Sequence, residues 1–123
     1  MLYDMQIKAF VPTTKPGLAK EFYKDILGLK LLSEDNYALE FDADRTLLRV
    51  IVVQELNPQP FTVLGWNVPD IVSVIRSLND KGVIFTQYDF MEQDTLGIWT
   101  SPGGSKVAWF KDPDDNVLSL TEI

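Results

Sequence analysis

Two stretches of the chain follow the same plan, and this repeat restricts the folds that the sequence can adopt. "IKAFVP" at residues 7–12 and "LGWNVP" at residues 64–69 both have the pattern of a strand that ends in Val-Pro. Each precedes a segment with apolar side chains at helical spacing, and each of these helices is closed by a glycine, Gly28 or Gly82. The pattern therefore predicts two copies of one strand-helix unit.

Short apolar segments separated by turns follow each predicted helix. After the first helix, strands are predicted in "LKLLSE", "YALEFD" and "TLLRVIVVQ". The segment "NPQP" at residues 57–60 then breaks the chain, because two prolines in four residues cannot continue a central strand. After the second helix, "VIFTQYDF" is predicted as a short strand with a loop, and "GIWTS", "SKVAWFK" and "NVLSLTE" as further strands.

This order of elements predicts the fold class and the domain organisation. Without the short segment "VIFTQYDF", eight strands and two helices form two βαβββ modules, which indicates an α+β fold with largely antiparallel, curved sheets. The modules are expected at about residues 1–56 and 61–123. A chain of 123 residues has the length of one domain, so the two modules are predicted to form a single domain over residues 1–123.

The composition excludes several kinds of site. The chain has no cysteine and no histidine, so disulfides, thiolate zinc sites, histidine-ligated metals and Ser-His-Asp catalysis are not available to it. Its net charge of −7 disfavours nucleic acids and anionic membranes as partners. The sequence has neither a signal-peptide pattern nor an apolar run of the roughly 20 residues that span a bilayer. A cytoplasmic protein is therefore expected.

Two motifs carry a resemblance to a known family. "EFYKDILGLKLL" and "VAWFKDPDDNVLSL" resemble the helix-to-strand signature and the closing signature of the vicinal oxygen chelate superfamily. This superfamily includes glyoxalase I, extradiol dioxygenases and bleomycin-resistance proteins, and its paired βαβββ plan covers essentially the whole chain. Asp115 stands where the family usually has glycine, at a turn position that favours a left-handed backbone, which aspartate tolerates better than most residues.

The resemblance also implies where metal ligands would lie. Metal-using members place one ligand on the first strand and one carboxylate on the last strand of each half, and here these positions fall on Lys8, Arg49, Val63 and Ser119. These residue types cannot form a divalent metal site, so no metal and no cofactor are expected. A displaced site built from other carboxylates stays open as an alternative. Glu40, however, is expected to face solvent and Glu122 to point away from the Ser119 face.

Side-chain alternation along the strands predicts which residues line a cavity. Ile7, Ala9 and Val11 are expected to meet the first helix. The candidate ligand-binding residues are Lys8, Phe10, Tyr37, Arg49, Val63, Trp99, Trp109 and Ser119. Lys8 and Arg49 would favour an anionic or neutral aromatic ligand. The alternatives are that both cations reach solvent and that the aromatic side chains pack in the core or against a partner subunit.

The favoured function is a metal-free small-molecule-binding protein that sequesters a drug or an aromatic metabolite. The resemblance further implies a homodimer. The alternative is a lyase, isomerase or dioxygenase-like enzyme of the same superfamily with a non-standard site, in which Lys8, Tyr37 or Tyr88 would act as acid or base. An interaction module with a closed cavity is a third possibility. Whether the chain is an enzyme is left open, as is the role of "YDFMEQDTLG", either a lid or a long connection.

Overall fold

The two halves of the chain fold into two units of the same construction. The structure, a computed structural model, describes residues 1–123. The units are Met1–Asn57 and Pro58–Ile123, so their boundary lies inside the "NPQP" segment that was predicted to break the chain. That the two modules form a single domain stays a prediction.

Each unit contains four strands and one main helical segment. The strands of the first unit are β1 (Lys8–Thr13), β2 (Lys30–Glu34), β3 (Ala38–Asp42) and β4 (Leu47–Val52). Those of the second unit are β5 (Thr62–Asn67), β6 (Trp99–Thr100), β7 (Lys106–Lys111) and β8 (Val117–Glu122). The helices are a short 3₁₀ turn (Leu2–Asp4), α1 (Pro16–Lys20), which continues as a π-helical segment (Glu21–Ile26), and α2 (Ile71–Asp80). None of these helices is long and apolar enough to cross a lipid bilayer.

The strand order is the same in both sheets. The first sheet, sheet A, has the order β1-β4-β3-β2, and the second, sheet B, has the order β5-β8-β7-β6. In each sheet the first strand pairs parallel with the last, and the other neighbours are antiparallel. The predicted α+β fold of two βαβββ modules is therefore confirmed.

The core of the first unit lies between sheet A and its helical segment. Val11, Val50 and Leu39 form one row across three strands, and all three are buried. In the neighbouring row, Phe41 contacts the ring of Tyr23, with ring centroids 5.9 Å apart. Ile7 was expected on the same side, but it is 71% exposed because β1 begins only at Lys8.

The π-helical segment turns its aromatic residues into this core. Leu27 N–H donates to the carbonyl of Phe22, five residues back, at 2.9 Å. Phe22 and Tyr23 are both buried and meet edge to face, with centroids 5.2 Å apart. Helical spacing alone also placed Leu18 on the apolar face, and the structure leaves it exposed, so that part of the pattern was misread.

Sheet B and α2 enclose the core of the second unit. Phe110 pairs with Leu118 in register, and its ring lies 5.2 Å from that of Phe85 and 6.4 Å from that of Trp66. Asp70 is the N-cap of α2, since its carboxylate accepts from Ser73 N–H at 3.2 Å.

The predicted hairpin turn "DPDDN" closes the connection between β7 and β8. The carboxylate of Asp112 accepts from the backbone N–H groups of Asp114 and Asn116 at 2.9 and 3.0 Å, and from the Asn116 side-chain amide at 2.9 Å. Asp115 has φ +65°, the left-handed conformation expected of the position where the family has glycine.

The segment "VIFTQYDF" was predicted as a short strand, and this prediction is wrong. Thr86 N–H donates to the Trp109 carbonyl at 2.8 Å, but no ladder follows. The side-chain amide of Gln93 instead donates to the carbonyls of Thr86 and Gly97 at 2.9 and 2.8 Å. These bonds fold residues 86–97 back on themselves, which leaves β6 only two residues long.

We predict opposite effects for alanine at two glycines of the first unit. Neither Gly17 nor Gly28 has a neighbouring atom within 4 Å of an added Cβ, but only Gly28 has a positive φ, +78°. Gly28→Ala should lower the free energy of unfolding by ~1–2 kcal/mol through backbone strain. Gly17→Ala, inside α1, should raise it by ~0.5–1 kcal/mol. Urea unfolding of both variants measures the difference, and equal effects would contradict the assigned backbone conformations.

Candidate functional site

The sheet A face that points away from the helical segment, called here the helix-free face of sheet A, carries a cluster of charged side chains. Phe10, Arg49 and Glu40 lie in one row across β1, β4 and β3. Lys8 is two residues before Phe10 on β1 and so lies on the same face. Three of the predicted site residues, Lys8, Phe10 and Arg49, are thus brought together.

Glu40 holds both cations of this cluster. Its Oε2 lies 2.5 Å from Arg49 Nη1 and 3.3 Å from Lys8 Nζ. The hydrogen bond from Arg49, followed by that from Lys8, keeps the pKa of Glu40 below its ordinary value. The expectation that Glu40 faces solvent is corrected, because only 20% of its side chain is exposed. This pairing also weakens the argument for an anionic ligand, since the carboxylate already occupies Lys8 and Arg49.

The other predicted residues of the first unit are less closely associated with the cluster. Phe10 is 55% exposed, and Lys8 Nζ lies 6.0 Å from its ring centroid, the outer limit of a cation–π contact. Tyr37 precedes β3 by one residue, and its carbonyl accepts from Val52 N–H at 2.7 Å. Alternation along the strand places Tyr37 on the opposite side from Glu40, so it is separated from Lys8 and Arg49.

The four positions at which the family resemblance implies metal ligands do not fit a metal. Lys8 and Arg49 carry positive charge, the Val63 side chain has no donor atom, and Ser119 offers one neutral hydroxyl. The structure contains no group of three or more Asp, Glu, Cys or His side chains that could hold a metal ion. Glu122 points to the helix side of sheet B, where its Oε1 accepts from Ile71 N–H at 2.9 Å.

On the face of sheet B that points away from α2, the helix-free face of sheet B, three residues form a tight row. Gly65, Ser119 and Trp109 are neighbours across β5, β8 and β7. A Cβ added at Gly65 would lie 2.9 Å from Ser119 Oγ, so the serine hydroxyl occupies the space that glycine leaves. Val63 lies in an irregularity of the β5–β8 pairing, between Thr62 and Leu64, and is 40% exposed.

Four aromatic rings continue from this row along the same unit. Trp109 contacts Trp99 at 6.3 Å between centroids and meets Tyr88 edge to face at 5.6 Å. Tyr88 in turn lies 5.3 Å from Phe90. We call these four residues the aromatic row. The sequence predicted the two tryptophans, but Phe90 was not a candidate and Tyr88 was considered only as an acid or base.

Two concavities of the second unit each include one residue of the aromatic row. A cleft of about 680 Å³ includes Trp99 and is otherwise lined by Gln87, Met91, Glu92, Gln93, Asp94, Ile98 and Thr100. A smaller pocket of about 260 Å³ includes Tyr88 and is otherwise lined by Pro58, Gln59, Pro60, Lys111, Asp115 and Val117. In the sequence, the larger cleft was indicated by the acidic and aromatic composition of "YDFMEQDTLG". The pocket residues are too far apart in sequence for any local pattern to reveal them.

Burial changes the acid–base character of one ring in the row. Removal of Tyr88 from solvent raises the pKa of its phenol above the ordinary tyrosine value. At neutral pH the side chain is therefore a neutral hydrogen-bond donor with an apolar ring, and a poor general base.

Solved structures of several proteins share this architecture at low sequence identity. Lactoylglutathione lyase from Agrobacterium tumefaciens matches with a TM-score of 0.75 and 15% identity, over 97% of this chain and 93% of its own. A glyoxalase/bleomycin resistance protein/dioxygenase superfamily member from Sphaerobacter thermophilus matches with a TM-score of 0.75 and 18% identity, over 100% of both chains. A glyoxalase family protein from Enterococcus faecalis matches with a TM-score of 0.73 and 20% identity, over 99% of this chain and 100% of its own.

These likenesses show the fold that the sequence motifs predicted. No family model matches the chain, and no curated protein matches it either. What the shared fold does here has to be argued from the residues described above.

We predict that the Glu40 cluster makes stability depend on pH. Because the pKa of Glu40 is depressed in the folded state, its stabilising effect is present above the ordinary value of 4.5 and is lost as pH falls through the folded value. Glu40→Gln should therefore lower the melting temperature at neutral pH, and the difference from the unmodified protein should shrink on acidification. Thermal unfolding monitored by circular dichroism across this range measures both effects.

The control for this series is Glu55→Gln, which removes an exposed glutamate of the same unit that has no ion pair. Its melting temperature should follow that of the unmodified protein. A Glu40→Gln curve that runs parallel to the unmodified protein at every pH would show that the cluster contributes nothing to stability.

We predict that Gly65 and Ser119 are coupled. Gly65→Ala should lower the free energy of unfolding by ~1–3 kcal/mol, because the new methyl group meets Ser119 Oγ. Removing the hydroxyl in the Gly65→Ala, Ser119→Ala double variant should restore most of this loss. A double-mutant cycle from urea unfolding gives the coupling energy, and strictly additive effects would mean that the two side chains do not compete for space.

Proposed function

We propose that this chain, which has the glyoxalase/bleomycin resistance/dioxygenase fold, binds a small organic molecule with an aromatic or planar part, and that it does so without a metal. The observation that carries the proposal is the aromatic row of Tyr88, Phe90, Trp99 and Trp109, in which Trp99 lines the larger cleft and Tyr88 the smaller pocket. Ligand sites in proteins are typically concave and lined by aromatic side chains with a few polar groups.

The exposure of the row supports binding over core packing. Trp66 of the same unit lies on the helix side and stacks on the buried ring of Phe110. Trp66, Trp99 and Trp109 are all partly buried, but Trp99 and Trp109 lie on the helix-free face of sheet B, in the aromatic row with Phe90, which is 78% exposed. Rings in this state keep apolar surface in contact with water, and a planar ligand stacked on them would remove it.

The volume and lining of the larger cleft fit the same function. A volume of about 680 Å³ lies inside the range of about 300–1,000 Å³ in which drug-sized ligands are held. Its wall combines the Trp99 ring and the Ile98 side chain with amide and carboxylate groups. This mixture supplies apolar contact area together with groups that can orient a ligand.

Charges and acid–base groups in the chain favour binding over a reaction. The Lys8 and Arg49 side chains pair with Glu40 and so are not free to polarise or deprotonate a substrate. Tyr88 retains its proton at neutral pH, as an ordinary tyrosine does, and burial raises its pKa further. The enzyme alternative has three acid–base candidates, of which Lys8 lies in the Glu40 cluster and Tyr88 in the aromatic row. Neither of these two side chains is available as a general base.

A homodimer in the cytoplasm is part of the proposal. The segment before β1 exposes Leu2, Tyr3, Met5 and Ile7, each more than 60% accessible. A second copy of the chain would bury such side chains with a favourable hydrophobic contribution. Native mass spectrometry of gently purified protein measures the subunit number and any co-purified small molecule or metal at the same time.

The test of the binding site compares two tryptophans of one unit. In a thermal-shift panel of planar aromatic compounds, ligands present at 100 times their Kd should stabilise the protein by ~2.7 kcal/mol. We predict that Trp109→Leu abolishes these shifts and that Trp66→Leu, on the other face of sheet B, keeps them. A chelator should leave the shifts unchanged in the unmodified protein.

Two results would overturn the proposal. One is a panel in which no aromatic compound shifts the melting temperature, or in which both leucine variants respond like the unmodified protein. The other is a stoichiometric metal in the native mass spectrum whose removal abolishes ligand binding. Circular dichroism of each variant before the titration establishes that it is folded.

A further inference from the structure

The smaller pocket of the second unit is lined by apolar, aromatic and charged residues. Pro58 and Pro60 form one side, and their rings restrict the backbone of the segment that covers the pocket. The Tyr88 ring connects the pocket to the aromatic row. Val117 on β8 is the ladder partner of Lys111 on β7, so both side chains lie on the helix-free face of sheet B.

Two opposite charges line this pocket without pairing. Lys111 and Asp115 are both lining residues, yet neither side chain makes an ion pair with the other or with any other group. Other cations of the chain do have such a partner: Lys8 and Arg49 share Glu40, and Lys106 lies 3.9 Å from Glu122.

Hydrogen bonds hold the backbone of the turn that carries Asp115. Lys111 is the last residue of β7, and Asp115 lies in the following turn. That turn is tied by the Asp112 carboxylate, which accepts from Asp114 N–H and Asn116 N–H, and by the Asp115 N–H, which donates to the Asp112 carbonyl at 3.0 Å. The carboxylate of Asp115 is therefore presented from a fixed backbone, beside a cation that it does not neutralise.

We infer that this pocket binds a small zwitterion of the α-amino-acid type, with the ligand carboxylate on Lys111, the ligand ammonium on Asp115, and an aromatic side chain directed to Tyr88. The inference rests on the proposed function, because it assigns the charge pattern of the ligand whose planar part stacks on the aromatic row. It commits the pocket to a ligand that carries both charges.

Ligands with a single charge fit the pocket less well for an electrostatic reason. An anion on Lys111 would be repelled by the nearby Asp115 carboxylate, and a cation on Asp115 would be repelled by Lys111. A zwitterion instead forms two charge-assisted hydrogen bonds, and neither protein charge is then left without an opposite charge beside it. The neutral Tyr88 phenol adds a donor without adding charge.

Isothermal titration calorimetry with matched probes tests this assignment. L-Phenylalanine carries both charges, 3-phenylpropanoate only the carboxylate, 2-phenylethylamine only the ammonium, and benzyl alcohol neither. L-Phenylalanine should bind at least about tenfold more tightly than any of the other three, which is the loss expected for one charge-assisted bond.

Two variants assign the charges to residues. Lys111→Met and Asp115→Asn should each weaken L-phenylalanine binding about tenfold. Asn tolerates the left-handed backbone of position 115, so the turn is retained. Lys111→Met should leave 2-phenylethylamine binding unweakened, and Asp115→Asn should do the same for 3-phenylpropanoate. The control is Lys24→Met, which removes an exposed lysine from the first unit and should change none of these affinities.

The outcomes separate this inference from the proposed function. Three results would each overturn the zwitterion assignment while leaving the aromatic row as a binding site. The first is equal binding of the four probes, and the second is binding of neutral aromatic compounds without binding of L-phenylalanine. The third is that the variants bind L-phenylalanine as tightly as the unmodified protein does. Failure of all four probes, together with a flat thermal-shift panel, would overturn both.

Discussion

The parallel pairing between the first and last strand of each unit is the constraint on which the rest of the structure depends. β1 and β4, like β5 and β8, can be parallel neighbours only because the chain crosses the sheet through a helix and returns through two antiparallel strands. This crossover covers one face and leaves the other for polar and aromatic side chains. It also sets which residues meet there: Phe10, Arg49 and Glu40 in one unit, and Gly65, Ser119 and Trp109 in the other.

The two helix-free faces carry different kinds of side chain although the strand order of the two sheets is the same. In the first unit, opposite charges satisfy one another, and the row across the sheet is held by ion pairs. In the second unit, the equivalent row consists of Gly65, Ser119 and Trp109. The charged side chains of the first face already contact one another, whereas the aromatic side chains of the second face keep apolar surface that is open to contact. The two units thus present different side chains on equivalent faces.

Much of the fold could be predicted from the sequence, because glycine, proline and strand alternation are local signals. Gly28 was predicted from local spacing and the left-handed Asp115 from the family resemblance, and the structure has both. The Glu40 pairing was missed because the register between β3 and β4 decides it, and a single sequence does not fix that register. The strand expected at "VIFTQYDF" failed because Gln93, a side chain outside it, takes its hydrogen bonds. The pocket beside Tyr88 joins segments nearly sixty residues apart, a relation that only the folded chain contains.

The hydrogen bonds of Gln93 have a consequence for how the larger cleft responds to its contents. One amide group joins Thr86, Tyr88 and Gly97 at 2.7–2.9 Å, and the Asp94 carboxylate joins Leu96 and Ile98 at 2.9 Å. These hydrogen bonds tie the residues of the wall to one another across the loop. Under the proposed function, a ligand would meet a wall that is already ordered, so little conformational entropy would be lost on binding. Selectivity would then come from the shape of the cleft.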